Sequence, residues 1–393
     1  MSRTKQLATI VEEVTRQAKG HAPYLQLIAP WHRLVGALGQ PPPVSPTTAT
    51  APATFNVAVL DASFNPPTLA HAKLLQATLQ GLTATLEDWK NKWTHQCVGE
   101  AYAANPWATS ASTLPTSPPT SLDKPAPTAP SATVSFDAGL LLVSTANADK
   151  QLTGASLAQR LAMLELLVQD LQSATCSPAL PVALDANLTL CLGLTNCARF
   201  VDKLTALRRF VARQQTALGL SKHTTPRFYF ILGADTVSRF FDPKYYATSP
   251  PASTPSLSSP ATNRDPMHAQ ISKFFQQGGR LVFAPRDAET NKELWTHVLD
   301  RTPTSAMAPY LRYIYTILPS LCYDEAGSAL KRDDARWMSQ VSSTRVRQYV
   351  LENGHRSDLA SALPMVAGDG AVTPVPLVSR AVYDYICNSN LYR

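Results

Sequence analysis

The sequence predicts an α/β fold: an open, doubly wound, mostly parallel sheet with helices on both faces. Two observations carry this. Six short runs are almost wholly apolar, as strands are when crossover helices cover both sides of a parallel sheet, and they alternate with longer stretches of helical periodicity. The alternation emerges once three Pro/Ser/Thr/Ala-rich tracts are set aside, at 40–54 (QPPPVSPTTATAPAT), 108–133 (with TLPTSPPTSLDKPAPTAPSAT) and 248–266 (TSPPASTPSLSSPATNRDP). None of these holds enough apolar side chains to offset its ordering entropy, so they are expected to be disordered surface loops.

Taken along the chain, residues 2–19 read as an amphipathic helix with Leu7, Ile10, Val11 and Val14 on one side. Strands are expected at 56–60, 139–143, 188–192, 227–232, 280–283 and 310–318. Helices are expected at 69–86, 156–172, 198–218, 267–277, 291–299, 343–353 and 379–386. The organisation that follows is an N-terminal helix and Pro-rich linker over 1–54, then one domain over 55–393 with inserts at about 103–133 and 247–266. In such sheets ligands collect beyond the carboxyl ends of the strands, which is where chemistry is to be sought.

Bulk composition narrows the classes. A length of 393 residues suits one large domain or two ordinary ones, and a hydrophobic content of 45% is globular. Charged residues make up 16%, against about 25% in an average domain, and the 32 prolines exceed the usual share of about 5%. No apolar run approaches the roughly 20 residues of a membrane span. The opening MSRTKQLATIVEEVTRQ has acids and no apolar centre, unlike a signal peptide. Six scattered cysteines with no C-x-x-C pair suit a reduced intracellular chain without a structural metal. Nothing directs export, so the cytoplasm is the expected location, with the nucleus as a second compartment. A net charge of +7, spread along the chain, suits a small phosphorylated ligand; no nucleic-acid or membrane partner is expected.

The richest strand end is NVAVLDASFNPPTLAHAKLL, 56–75. Pro66 and Pro67 fix two φ angles and stiffen the turn. Thr68 suits an N-cap and leaves His71 in the first helical turn, so that a hydroxyl and an imidazole stand beside the N–H groups and positive end of a helix. That arrangement suits phosphate oxygens; a proline-stiffened turn with a capping Thr and a half-buried His accounts for the same residues. In FYFILGADTVSRFFDPKYY, Gly233 permits close approach of a ligand and Asp235 is able to cap a helix or accept from a ribose. In VSSTRVRQYV, Ser343 and Thr344 open a helix with Arg347 one turn in, a second phosphate cradle or a plain cap.

These three segments resemble the T/H-x-x-H nucleotidyltransferase superfamily in its nicotinamide mononucleotide (NMN) adenylyltransferase form. SFNPPTLAH is similar to its Gly-Ser-Phe-Asn-Pro-(Pro/Ile)-Thr-x-x-His signature, with Ala62 in the place of Gly; GAD is similar to L-x-G-x-D; and VSSTRVR is similar to I-S-S-T-x-x-R, with Val341 for Ile. RFFDPKYY resembles the fungal-type branch. The resemblance implies a Rossmann-like sheet and transfer of AMP from ATP to NMN or nicotinate mononucleotide, giving NAD and pyrophosphate. It implies Thr68, His71 and Arg347 as catalytic groups, and Ser63, Phe64, Gly233, Asp235, Ser343 and Thr344 as further nucleotide contacts. Ser63 and Phe64 would act through backbone amides. Mg²⁺ would arrive with ATP, since no acidic cage stands in the sequence. Lys150 and Arg160 would lie near the acceptor phosphate, Arg160 on a helix surface, with Arg286 at a late strand end. Thr195 and Phe200 stand in a T-x-W-E-like segment whose aromatic stacks on the pyridine, although the spacing of Phe200 fits core burial as well. The same cradle would serve cytidylyl or adenylyl transfer to another phosphorylated molecule, or a nucleotide-binding regulator with weak ATPase activity. Class I aminoacyl-tRNA synthetases share the first motif but carry a K-M-S-K-S loop, absent here.

Overall fold

The central strand is β2 (Thr54–Asp61), whose run TFNVAVLD is buried from Val57 to Leu60. It pairs in parallel with β3 (Ala138–Ser144) on one side and β5 (Thr225–Gly233) on the other. The chain is described by a computed structural model over residues 2–19, 22–29, 54–82, 85–88, 133–146, 153–173, 188–217, 225–246, 266–284, 308–317, 341–354, 363–366, 372–375 and 377–392. Adding β1 (Leu25–Ala29), β4 (Thr189–Thr195), β6 (Gly279–Ala284) and β7 (Ile314–Thr316) gives one sheet in the order β1-β4-β3-β2-β5-β6-β7. All its pairs are parallel except β1 with β4. Numbered from β2, the parallel strands run 3-2-1-4-5-6, the doubly wound order, with its topological switch between β2 and β5.

Strand alternation sorts the apolar side chains into two cores. Ala58, Leu60, Leu141 and Val143 face helices α1 (Arg3–Ala18), α2 (Leu69–Leu79), α3 (Leu157–Gln172), α7 (Ser343–Asn353) and α8 (Arg380–Asn388). Val57, Val59, Leu140 and Phe230 face α4 (Phe200–Ala217), α5 (Ala234–Phe240) and α6 (Pro266–Gln276), where Phe240 and Phe274 stand edge-on at 5.1 Å between centroids. Both faces are covered, which is why the strands read as unbroken apolar runs.

Where structure and sequence reading differ, local causes are visible. The helix expected over 69–86 ends at Leu79, because Gly81 takes φ +118° and turns the chain so that Leu82 pairs with Val134. A Cβ at Gly81 would meet Thr133 Cγ2 at 2.9 Å. The strand expected over 310–318 is a 3₁₀ turn, Ala308–Tyr313, followed by only three residues of strand. The tail after Gly233 opens as helix α5. Strand β1 is too short for its periodicity to stand out, yet Leu25 and Leu27 are buried and extend the sheet past β4. The N-terminal helix is part of the same body: Leu7 and Val14 enter the first core, and Arg3 pairs with Glu165 of α3. A hairpin of β8 (Leu363–Val366) and β9 (Val372–Val375) was not expected. The helix expected at 291–299 lies outside the described residues, as do the Pro-rich tracts apart from their edges. Among the described residues no helix is long and apolar enough to cross a membrane.

Two cysteines report on the packing. Cys191 in β4 and Cys197 after it are buried, and burial pushes the Cys191 thiol up to about 12 and raises that of Cys197. The thiolate is the reactive form. Iodoacetamide at pH 8, read by peptide mapping, is expected to leave both unlabelled in the native protein and to label both after denaturation; native labelling at either would contradict this core.

Candidate functional site

At the switch point the chain leaves β2 through an irregular turn. Ala62 still belongs to the sheet, its N–H donating to the Leu142 carbonyl at 3.4 Å. Phe64 then takes φ +45°, a conformation costly for a bulky residue, and it is held by complete burial of its ring. That ring lies 5.0 Å from the ring of His71. The Asn65–Pro66 bond is cis. Thr68 is the N-cap of α2 and His71 stands at N3, as the sequence predicts.

The two residues are bonded to each other. Thr68 is 0% exposed. Its backbone N–H donates to His71 Nδ1 (3.0 Å), and its hydroxyl lies 2.8 Å from the same nitrogen. With Nδ1 accepting from the Thr68 N–H, the ring proton sits on Nε2. The Leu69 N–H, nominally open at the helix start, donates to the Leu377 carbonyl at 3.0 Å. Thr68 therefore orients the imidazole, and the half-buried His71 is the group of this pair suited to a ligand.

The third motif packs directly on this turn. Ser342 caps α7 by accepting from the Arg345 N–H at 3.3 Å. Ser343 Oγ donates to the Pro66 carbonyl at 2.7 Å, and Arg347 Nη1 donates to the Asn65 carbonyl at 2.5 Å. Arg347 Nη2 reaches the hydroxyl of the exposed Thr344 at 3.1 Å. The apolar side of α7 (Val346, Val350) is buried in the first core, which turns Ser343, Thr344 and Arg347 toward α2. Register completes the constellation: Leu60 pairs with Ile231, so Gly233 ends β5 level with Ala62. The space where a Cβ of Gly233 would stand is open, with nothing within 4 Å. Asp235 follows in the first turn of α5.

Two residues missed or misjudged in sequence hold the turn. Asn65 is buried: its Nδ2 donates to the Thr153 carbonyl (2.6 Å), while Oδ1 accepts from the Ala155 N–H (3.2 Å) and the Tyr392 hydroxyl (2.9 Å). Arg160, expected on a helix surface beside a substrate phosphate, is 1% exposed. Its guanidinium donates to the carbonyls of Ala155 (2.8 Å), Ser63 (3.2 Å) and Thr153 (2.6 Å). Burial lowers its pKa, and proximity to Arg347 lowers it further. Long apolar flanks (LAQRLAML) offered the only signal that this Arg is internal.

The opposite face of the sheet carries a different chemistry. Asp61, at the end of β2, pairs with Lys203 of α4 at 2.5 Å, with side chains 10% and 5% exposed. Lys203 Nζ lies 4.6 Å over the Phe200 ring, whose edges pack against Phe230 and Phe240. Phe200 thus belongs to the aromatic core with one face engaged by a cation. Thr195, expected near a substrate, is buried; its hydroxyl donates to the Tyr24 carbonyl (2.7 Å) and accepts from the Cys197 N–H (3.3 Å), fastening β1 to the sheet. Lys150 and Arg286 lie outside the described residues. Among the described residues no group of three or more His, Cys, Asp or Glu is placed to hold a metal ion.

No protein-family model matches the sequence, and no curated protein matches it. Solved structures similar to this chain include Plasmodium falciparum nicotinic acid mononucleotide adenylyltransferase complexed with APC, at 12% identity and a TM-score of 0.37, covering 86% of this chain and 97% of that one. The same enzyme complexed with NaAD matches at 13% identity and a TM-score of 0.36, with the same coverage. Likeness at this distance transfers no residue role and no ligand.

The Asp61–Lys203 pair yields a direct expectation. Asp61→Ala strands a buried ammonium and is expected to lower the unfolding free energy by about 3–5 kcal/mol, whereas the double variant Asp61→Leu, Lys203→Met recovers most of that loss. Urea denaturation followed by circular dichroism distinguishes these; equal losses in both variants would contradict a desolvated ion pair.

Proposed function

We propose that the chain is a nucleotidyltransferase that moves the AMP of ATP onto the phosphate of NMN or nicotinate mononucleotide, releasing pyrophosphate. The observation that carries this reading is the direct bonding of Ser343 and Arg347 to the carbonyls of Pro66 and Asn65. It gathers the His71 imidazole, the Ser343 and Thr344 hydroxyls and the Arg347 guanidinium around one helix start at the switch point, the place where doubly wound sheets bind ligands. The Thr344 hydroxyl, the His71 imidazole and the Arg347 guanidinium, with no carboxylate among them, form a donor set for phosphate oxygens, and the single O–H of Ser343, given to the Pro66 carbonyl, fixes α7 beside them.

The reaction needs no protein nucleophile. An acceptor phosphate oxygen, already anionic at neutral pH, attacks the α-phosphorus in line; the new P–O bond forms as the bond from the α-phosphorus to the bridging oxygen breaks, and pyrophosphate leaves with that electron pair. Catalysis then consists of positioning and charge stabilisation. Arg347, His71 and the Thr344 hydroxyl are assigned to the β- and γ-phosphates, where negative charge grows, and Ser343 is assigned the fixing of α7 on the turn. Thr68 is assigned the orienting of His71. The amides of Ser63 and Phe64 and the Gly233–Asp235 segment are assigned to the α-phosphate and ribose. The acceptor is assigned to the β4–α4 side with Phe200, together with Lys150 and Arg286. This donor set does not suit a divalent cation, and the Asp61 carboxylate is engaged by Lys203; Mg²⁺ therefore fits here as an ion carried on the triphosphate, with water completing its shell.

Purified protein given Mg-ATP with NMN or nicotinate mononucleotide is expected to release pyrophosphate and form the dinucleotide. His71→Ala and Arg347→Ala are each expected to lower kcat by about 10²–10³ in protein that still shows the far-ultraviolet circular dichroism of the wild type. ATP binding with no pyrophosphate release on either acceptor would refute transfer to them. A parallel arm with CTP and phosphocholine separates adenylyl from cytidylyl transfer.

A further inference from the structure

We infer that Tyr392 is a positioning residue for the phosphate grip: its hydroxyl fixes the Asn65 side chain, and Asn65 in turn holds Arg347. The inference rests on the nucleotide reading above and adds a residue that none of the three motifs contains.

The end of α8 is shaped to deliver this phenol. The Ser389 N–H bonds back to the Tyr385 carbonyl, Asn390 to Cys387 and Leu391 to Ile386, at 2.9, 3.1 and 3.0 Å. Asn390 and Tyr392 both take left-handed φ values, 54° and 64°. Such backbone is costly for residues other than glycine and persists where its surroundings compensate. Here Leu391 is buried in the first core, and Tyr392 reaches Asn65 Oδ1 at 2.9 Å. An amide oxygen only accepts, so the phenol is the donor. Its burial, the largest influence, raises the pKa of Tyr392 and keeps that donor protonated.

The consequence for Arg347 follows from geometry. The Asn65 amide is pinned from two sides, by Thr153 and Ala155 ahead of α3 and by Tyr392 beyond α8. The backbone carbonyl of the residue so held takes Arg347 Nη1 at 2.5 Å. The choice of residue type also matters. Tyr392 lies close enough to Arg160 and Arg347 for both cations to act on it. A carboxylate there would pair with a guanidinium and cancel the charge that a triphosphate meets. A phenol supplies the hydrogen bond and leaves the positive field in place.

The test is a double-mutant cycle on the full chain, with tripolyphosphate and ATP binding measured by calorimetry. Tyr392→Phe keeps the ring and removes one oxygen; it is expected to weaken tripolyphosphate binding roughly 3- to 10-fold, the range of one lost hydrogen bond. In an Arg347→Ala background the same change is expected to have little further effect. Incorporation of 4-aminophenylalanine at 392, which restores a donor, should return the affinity toward wild type. Unchanged tripolyphosphate affinity in Tyr392→Phe overturns the inference, as does full additivity with Arg347→Ala or a failure of the amino analogue to rescue. A merely structural tyrosine would shift the unfolding midpoint and leave affinity per folded molecule intact. If wild-type protein binds neither ATP nor tripolyphosphate, the nucleotide reading itself falls, and this inference with it.

Discussion

The carbonyl groups of the turn after β2 have no ladder or helix to satisfy them, and the site depends on the side chains that do. Arg160 takes the carbonyl of Ser63, Arg347 that of Asn65 and Ser343 that of Pro66. Buried or half-buried backbone oxygens need partners, and bonds from charged donors are worth about 1.5–3 kcal/mol each. The same bonds work in reverse on the side chains. A turn that must be satisfied from α3 and α7 thereby fixes the guanidinium and hydroxyl groups that satisfy it, and the order of those groups comes with the stability of the turn.

Electrostatics divide the sheet into two unlike faces. On the α2–α7 face, among the described residues, neither Arg160 nor Arg347 pairs with a carboxylate; carbonyls and hydroxyls take their hydrogen bonds. Carbonyl dipoles satisfy N–H groups without cancelling a formal charge, so the positive field persists at the start of α2. On the α4 face Asp61 neutralises Lys203 where both are shielded from water. This asymmetry follows from which strand end carries Asp61, a polar residue in register with the buried alternation Phe55, Val57, Val59.

Much of this was open to reading in the linear order of residues. Apolar runs located the parallel strands because burial on both faces leaves no alternation to interpret, and the pairs Thr68–His71 and Ser343–Arg347 lie within one or two helical turns, where spacing alone fixes proximity. Periodicity is blind to the environment on the far side of a residue. Arg160 reads like any helical arginine, Thr68 like an exposed cap, and Thr195 like a strand-end donor; all three are buried by elements distant in sequence. Strand β1 offers five residues, too few for a pattern, and exists because the edge of β4 needs a partner.

By itself, then, the sequence determined where the parallel strands and most of the helices run and which residues neighbour one another within the Thr68–His71 and Ser343–Arg347 segments, because those depend on patterns a few residues long. Only the tertiary structure decided how the halves meet: that Ser343 and Arg347 close on Pro66 and Asn65, that Tyr392 reaches the same asparagine, and that Asp61 is spent on Lys203. Each of these joins residues more than a hundred positions apart, and such contacts are set by strand order and helix packing, for which no local spacing in the chain is a guide.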